Sequence, residues 1–228
     1  MDRETGQIFT TNFTVDYEEN NVFKKQLMRD IKIRAFSEDG LHNYETHVSL
    51  IIIDKNDNAP KFDSFILRKS LFVMENTLNE NDGIGQVQAK DLDSGLNGQV
   101  IYKLDDSAAN YEQVKEIFDC DSQTGVIFVM SEIDREINSS IVLSLLAIDQ
   151  GVPALTAKTD VQIFVLDMND NAPTYDGKMS SILSIKENDM NVGLTLNATD
   201  LDLGSNGTIF YYIAKDESKK FLIDPITG

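Results

Sequence analysis

Two nearly identical stretches, DKNDNAP (residues 54–60) and DMNDNAP (residues 167–173), recur 113 positions apart in a chain of 228 residues. Each follows a strand-like apolar run and crowds Asp and Asn side chains ahead of a proline. Other elements return at nearly the same interval. DLDSGLNG (residues 91–98) reappears 109 positions later as DLDLGSNG (residues 200–207), and the MEN that starts at Met74 reappears 112 positions later as the KEN that starts at Lys186. D-x-x-T-G occurs at Asp2, Asp121 and Asp224, and an acid-x-Glu element follows the first two, as Asp16-Tyr17-Glu18 and Asp134-Arg135-Glu136. Agreement among unrelated elements fixes a repeat of about 110 residues, so the chain is a tandem array of one small unit.

The pattern inside the unit is β. Val161, Ile163 and Val165 stand at every second position, as do Val48, Leu50 and Ile52, and Val100, Tyr102 and Leu104. Such alternation belongs to strands with one buried face, and Gly-containing turns separate the runs. Short strands in a unit of this size predict an all-β chain of antiparallel Greek-key β-sandwiches joined end to end. With no tryptophan and a single cysteine, Cys120, an immunoglobulin domain proper is disfavoured and no intrachain disulfide can form.

Thirty-eight acidic against twenty basic side chains give a formal charge of −18, which argues against nucleic acid and anionic membrane surfaces as partners. No small-molecule substrate site or enzyme emerges either. There is no nucleophile–base pair, histidine cluster or complete glycine-rich phosphate loop. His42 and His47 stand outside every acidic motif and are read as surface residues. MDRETGQ at the start is polar, and no 18-residue apolar run follows, so the chain is expected to be a fragment of something longer. Four Asn-x-Ser/Thr sequons, at Asn12, Asn138, Asn197 and Asn206, permit glycosylation, with Asn12 and Asn138 the expected carriers.

Aspartate, asparagine and backbone carbonyls at alternating positions are the donor set of a hard cation. Calcium takes about six to eight oxygens, whereas zinc or copper would call for imidazole or thiolate. An EF-hand loop is excluded, because its sixth position should be Gly and its twelfth Glu. Counting from Asp54 these are Ala59 and Phe65; from Asp167 they are Ala172 and Lys178. The loops must therefore borrow ligands from distant residues.

Taken together, the early Glu (Glu75, Glu187), D-x-D with its following Asn-Gly, acid-x-Glu, A-x-D-x-G-x-P (residues 147–153) and D-x-N-D-N-A-P resemble the cadherin repeat over essentially the whole chain. The resemblance implies three segments: 1–58 as the C-terminal half of a repeat with its linker, 59–171 as a complete repeat with its linker, and 172–228 as the N-terminal half of a third. It also implies about three calcium ions at each joint. The first joint would use Asp16, Glu18, the Lys55 carbonyl, Asn56, Asp57, the Asn58 carbonyl, Asp91, Asp93, the Asn97 carbonyl and Asp149. The second would use Glu75, Asp134, Glu136, the Met168 carbonyl, Asn169, Asp170, the Asn171 carbonyl, Asp200, Asp202 and the Asn206 carbonyl. Asp54 and Asp167 are expected to orient the linkers rather than to bind metal.

Departures from the family pattern are few. Each joint is short of one family carboxylate that would lie beyond Met1 or Gly228. Ser37 stands where an Asp is usual, and Tyr17 replaces the usual Arg between the acids of the first acid-x-Glu. Asp2-Arg3-Glu4 is read as a turn.

By resemblance the parent protein mediates calcium-dependent, homophilic cell–cell adhesion. Its partners would be cadherin ectodomains on the same or neighbouring cells, and this chain would be part of the extracellular region of a plasma-membrane protein. The alternative is a purely structural spacer without a binding face. In both readings calcium neutralises the converging carboxylates. Two like charges about 4 Å apart otherwise repel by roughly 4 kcal/mol at an effective dielectric near 20.

Overall fold

The computed structural model describes residues 8, 16–18, 27–37, 39–64, 70–77, 83–175, 184–187, 195–218 and 220–228. The Asp2 turn element and the Asn12 sequon lie outside these residues. Among the described residues the chain is almost wholly β, with one single-turn helix.

The first segment contributes an antiparallel hairpin of β1 (Leu27–Phe36) and β2 (Asn43–Ile52), paired along its full length from Leu27 opposite Ile52 to Phe36 opposite Asn43. Val48, Leu50 and Ile52 alternate as expected, yet Leu50 stays 42% exposed. Among the described residues no other strand pairs with this hairpin.

The middle segment is a complete sandwich. One layer holds β4 (Leu71–Met74), β11 (Thr156–Leu166), β10 (Ser140–Ile148) and β7 (Ile101–Leu104), in that order. The other holds β5 (Gly85–Gln86), β9 (Val126–Val129) and β8 (Phe118–Cys120), with a separate pair of β3 (Lys61–Phe62) and β6 (Ala89–Lys90). Both layers send alternate side chains into one core. Phe118 and Ile127 from one sheet meet Leu143, Leu145 and Ile163 from the other, all five with no exposed surface. Each such side chain contributes about 1.5–3 kcal/mol of burial. The helix α1 (Tyr111–Val114) closes one edge through Val114. Cys120 is buried in this core and its thiol is pushed up to about 12, first by burial and then by the charges of Asp119 and Asp121, so it is an inert core residue.

Two features of the topology aim the functional residues. The first is that β4 runs parallel to β11, with Leu71 level with Ile163 and Met74 with Leu166. Both strands therefore leave the sandwich at the same end, and Glu75 N–H bonds the Leu166 carbonyl at 3.1 Å. The second is the direction of β10. Its nine residues carry the chain from the end that holds Asp134 and Glu136 to the end that holds Asp149, a span of roughly 30 Å at the usual strand rise. Acidic motifs scattered through the repeat are thus sorted to its two poles.

The third segment repeats the opening of the second. β12 (Thr174–Tyr175) pairs with β13 (Ala198–Thr199) as β3 pairs with β6. Tyr102 Oη accepts the Ala89 N–H at 2.8 Å, and Tyr211 Oη accepts the Ala198 N–H at 3.0 Å. The D-x-x-T-G turns match as well: Gly125 N–H bonds the Asp121 carbonyl at 2.9 Å, and Gly228 N–H bonds the Asp224 carbonyl at 3.1 Å. The sequence period is a structural period.

One ion pair lies apart from the poles. Asp105 is 2% exposed and accepts from the Lys158 ammonium at 2.6 Å, the Ser107 hydroxyl at 2.6 Å and the Ser107 N–H at 2.9 Å. The lysine, then the serine, hold its carboxyl down at about 2. A depressed carboxylate adds stability above its unfolded value near 4 and loses it as pH falls through the folded value. Asp105→Asn is therefore expected to lower the melting temperature near neutrality, with the gap closing between about pH 4 and pH 2; a gap unchanged at low pH would refute the assignment.

Candidate metal centres

Each linker is gripped by the D-x-D loop of the repeat that follows it. Asp93 Oδ2 accepts the N–H groups of Asp57 and Asn58, both at 3.1 Å, and Asp93 Oδ1 takes the Asn58 side-chain amide at 2.6 Å. Asp202 does the same for Asn171, accepting its N–H at 3.3 and 3.4 Å and its amide at 2.9 Å. The leading acid of each D-x-D holds the loop shape: Asp91 accepts the Asp93 N–H at 2.9 Å and Asp200 the Asp202 N–H at 3.0 Å. The Asn-Gly that follows is required sterically, since a Cβ on Gly98 would lie 2.0 Å from the Asp93 carbonyl oxygen, and one on Gly207 2.2 Å from that of Asp202.

At the first joint Asn56 reaches into the third acidic element. Its amide donates to Asp149 Oδ1 at 3.1 Å and to the Pro153 carbonyl at 2.7 Å. Asp149 is fully enclosed and also accepts the N–H groups of Gly151 and Leu155. Gly151 explains the glycine of A-x-D-x-G-x-P, because a Cβ there would meet the Asn56 carboxamide at 2.3 Å. The acid-x-Glu element comes from the preceding segment, with Glu18 N–H bonded to Asp16 Oδ1 at 2.9 Å. Carboxylate oxygens of Glu18, Asp54 and Asp93 gather within 4.8 Å of one another.

The second joint has the same skeleton. Glu136 N–H bonds Asp134 Oδ1 at 2.9 Å. Glu75 has no exposed surface; it accepts the Arg135 N–H at 2.8 Å and the Met168 N–H at 2.6 Å. The carboxylates of Glu75, Glu136 and Asp167 gather within 4.8 Å. Asp170 bonds the amides of Asn171 and Asn76, and the Met168 carbonyl accepts the Asp170 N–H at 3.0 Å. Lys55 and Asn169 lie exposed along the linkers. Neither histidine joins a carboxylate group; His47 faces Asp30 at 3.3 Å and both imidazoles are exposed.

Electrostatic frustration is visible in the carboxyl groups. Burial, reinforced by Asp54 and Asp16, pushes Glu18 up to about 7. Burial and the charges of Asp93 and Asp149 raise Asp91. Burial together with Glu75, Asp202 and Asp134 raises Asp170, and burial and Glu75 raise Glu136. Four buried oxygens of the first joint, Glu18 Oε1, Asp54 Oδ1, Asn56 Oδ1 and Asp91 Oδ2, accept no hydrogen bond. Orphaned buried acceptors are costly. An all-oxygen set drawn from three separate stretches of chain fits a hard divalent cation, and calcium in particular.

Asp54 and Asp167, expected to orient the linkers, are bonded to the loops that follow and also stand in the carboxylate groups. Asp54 Oδ2 accepts from Ser94 N–H and the Asn97 amide, both at 3.0 Å, whereas Asp167 uses both oxygens: Oδ1 and Oδ2 share the Leu203 N–H at 3.0 and 3.1 Å, and Oδ2 also accepts the Asn206 amide at 2.8 Å. These donors outweigh burial and keep both carboxyls low. Asp54 Oδ1 accepts no hydrogen bond, and each of the two aspartates contributes an oxygen to its carboxylate group. Sequence reasoning also passes over Arg135 and Asn76 as site residues; the only signals for them are the centre of acid-x-Glu and the shared Asn of MEN and KEN.

Known proteins resemble this chain along its whole length. Residues 69–166 match the family model described as "Cadherin domain". The chain is 30% identical over 236 residues to cadherin-23 of Rattus norvegicus; the match takes in 100% of this chain and 7% of that protein. It is 34% identical over 233 residues to protocadherin Fat 1 of Homo sapiens, again 100% of this chain but 5% of that protein. The crystal structure of mouse cadherin-23 EC22-24 superposes with a TM-score of 0.72 at 29% identity, covering 95% of this chain and 65% of that one. The chain thus spans a small fraction of its relatives' length, and its all-β sandwich fold is theirs. It belongs to the cadherin family.

Proposed function

We propose that this chain is a stretch of calcium-stiffened cadherin repeats from the ectodomain of a plasma-membrane adhesion protein. Residues 1–58, 59–171 and 172–228 act as half, whole and half repeats, and about three calcium ions sit at each joint. The observation that carries the reading is the set of four buried, unbonded oxygens at the first joint, contributed by Glu18, Asp54, Asn56 and Asp91. Asp16, Asp57, Asp93 and Asp149, with the carbonyls of Lys55, Asn58 and Asn97, complete the ligands there. At the second joint the ligands are Glu75, Asp134, Glu136, Asn169, Asp170, Asp200 and Asp202, with the carbonyls of Met168, Asn171 and Asn206. Asp54 and Asp167 join these sets, Asp54 through the Oδ1 that accepts no hydrogen bond.

Bound calcium would neutralise carboxylates from consecutive repeats, fixing the angle between them. Affinities of extracellular sites of this kind are about 10⁻⁴–10⁻³ M, matched to calcium outside cells. Relatives named as cadherins and protocadherins, and a structural neighbour described as a protocadherin gammaB7 EC3-6 cis-dimer at a TM-score of 0.71, support other cadherin ectodomains as partners, homophilic in the parent. The spacer alternative shares the same joints, so it is separated by binding. Beads coated with this chain should clump in calcium and not in chelator if it carries an adhesive face; no clumping in either condition assigns it to spacing.

Three measurements probe the joints. Asp170→Ala is expected to weaken calcium binding at the second joint in calorimetry, and unchanged stoichiometry and affinity would remove Asp170 from the ligand set. Gly151→Ala must displace the Asn56 carboxamide, so it is expected to weaken the first joint and spare the second; equal affinities would reject the close approach as functional. Because the Glu18 carboxyl sits at about 7 and calcium must displace its proton, affinity at the first joint should fall from about pH 8 to about pH 6. Affinity independent of pH over that range would exclude Glu18 as a ligand.

A further inference from the structure

The two joints share a ligand sequence but differ at the centre of acid-x-Glu, which is Tyr17 in the first and Arg135 in the second. Their interiors differ accordingly. The four orphaned oxygens cluster around the first joint; among the described residues the second joint has no such oxygen, and its buried atom without a hydrogen-bond partner is Arg135 Nε, which meets its carboxylates as an ion pair. There Arg135, only 7% exposed, takes the place of a donor. Its guanidinium Nε lies 2.5 Å from Asp167 Oδ1 and 3.8 Å from Glu75 Oε1, and Nη2 contacts Glu136 Oε1. These are the three carboxylates that gather at this joint. The same Nη2 donates to the Leu201 carbonyl at 2.7 Å. Leu201 lies between Asp200 and Asp202, so one side chain of the middle repeat binds the D-x-D loop of the next.

We propose that Arg135 is a resident cation of the second joint that competes with calcium. It lowers the joint's calcium affinity while tying the two repeats together when calcium is scarce. The inference rests on the calcium reading of the joints given above. A guanidinium stays charged at every physiological pH and spreads its donors over several oxygens. Calcium needs carboxylate oxygens at roughly 2.3–2.6 Å, and two cations sharing the same oxygens repel. Metal therefore enters only as Arg135 gives up its contacts. Tyr17 is neutral and imposes no such exchange, so the first joint has no internal substitute for the ion.

A calcium titration of the intact chain, read by backbone amide resonances, separates the joints. Asn171 and Leu203 report the second, and Asn58 and Ser94 the first. Arg135→Gln should shift the second-joint midpoint to lower calcium on the order of tenfold, the scale of one nearby charge on an ionisation equilibrium. It should leave the first-joint midpoint in place, and in chelator it should cost the Leu203 amide its exchange protection. Arg135→Lys keeps the charge and should stay near the wild-type midpoint. Tyr17→Arg should raise the first-joint midpoint, which tests the idea even if the Arg135 variants fail to fold. A second-joint midpoint that stays put or moves to higher calcium in Arg135→Gln, or a first joint indifferent to Tyr17→Arg, overturns the proposal and leaves the calcium reading intact. Amides at neither joint responding to calcium in the wild-type chain would overturn both.

Discussion

Asp93 and Asp202 accept backbone N–H groups of the acidic linkers that precede their D-x-D loops, Asp57 and Asn58 in one case and Asn171 in the other, and this grip holds each linker against the loop that follows. Once a linker is held to the next repeat's D-x-D loop, its own Asp and Asn side chains face Glu18 or Glu75 and Glu136 from behind and Asp149 from ahead. No repeat can then satisfy its pole alone. The sandwich core offsets the cost of this crowding, since fully buried Leu143, Leu145 and Ile163 anchor the strands whose ends carry the acids.

Much of this is legible in the amino-acid sequence. The 113-residue recurrence of the linker and the 109-residue recurrence of D-x-D reappear as matching strand pairs and matching tyrosine hydrogen bonds. The alternating runs at Val100 and Val161 correspond to β7 and β11. Motif spacing reports backbone register, and register is what a repeat preserves.

What the sequence hides depends on side-chain direction. A carboxylate has two oxygens, and no sequence pattern says that one oxygen of Asp54 turns to Ser94 and Asn97 while the other faces Glu18. The same blindness covers Arg135, a residue that reads as an ordinary surface cation until β4 and β11 run parallel and bring Glu75 beneath it. Leu50 shows the converse: its place in the alternation of β2 is visible, but its 42% exposure is not, because a strand's own pattern does not say what packs against it.

The central claim is mechanical: shared oxygens plus calcium make consecutive repeats one stiff body. Small-angle X-ray scattering of this chain in millimolar calcium and in excess chelator tests it most directly. The account predicts a longer, more uniform particle with calcium, and a broader distribution of shapes in chelator. Identical scattering profiles in the two conditions would contradict it.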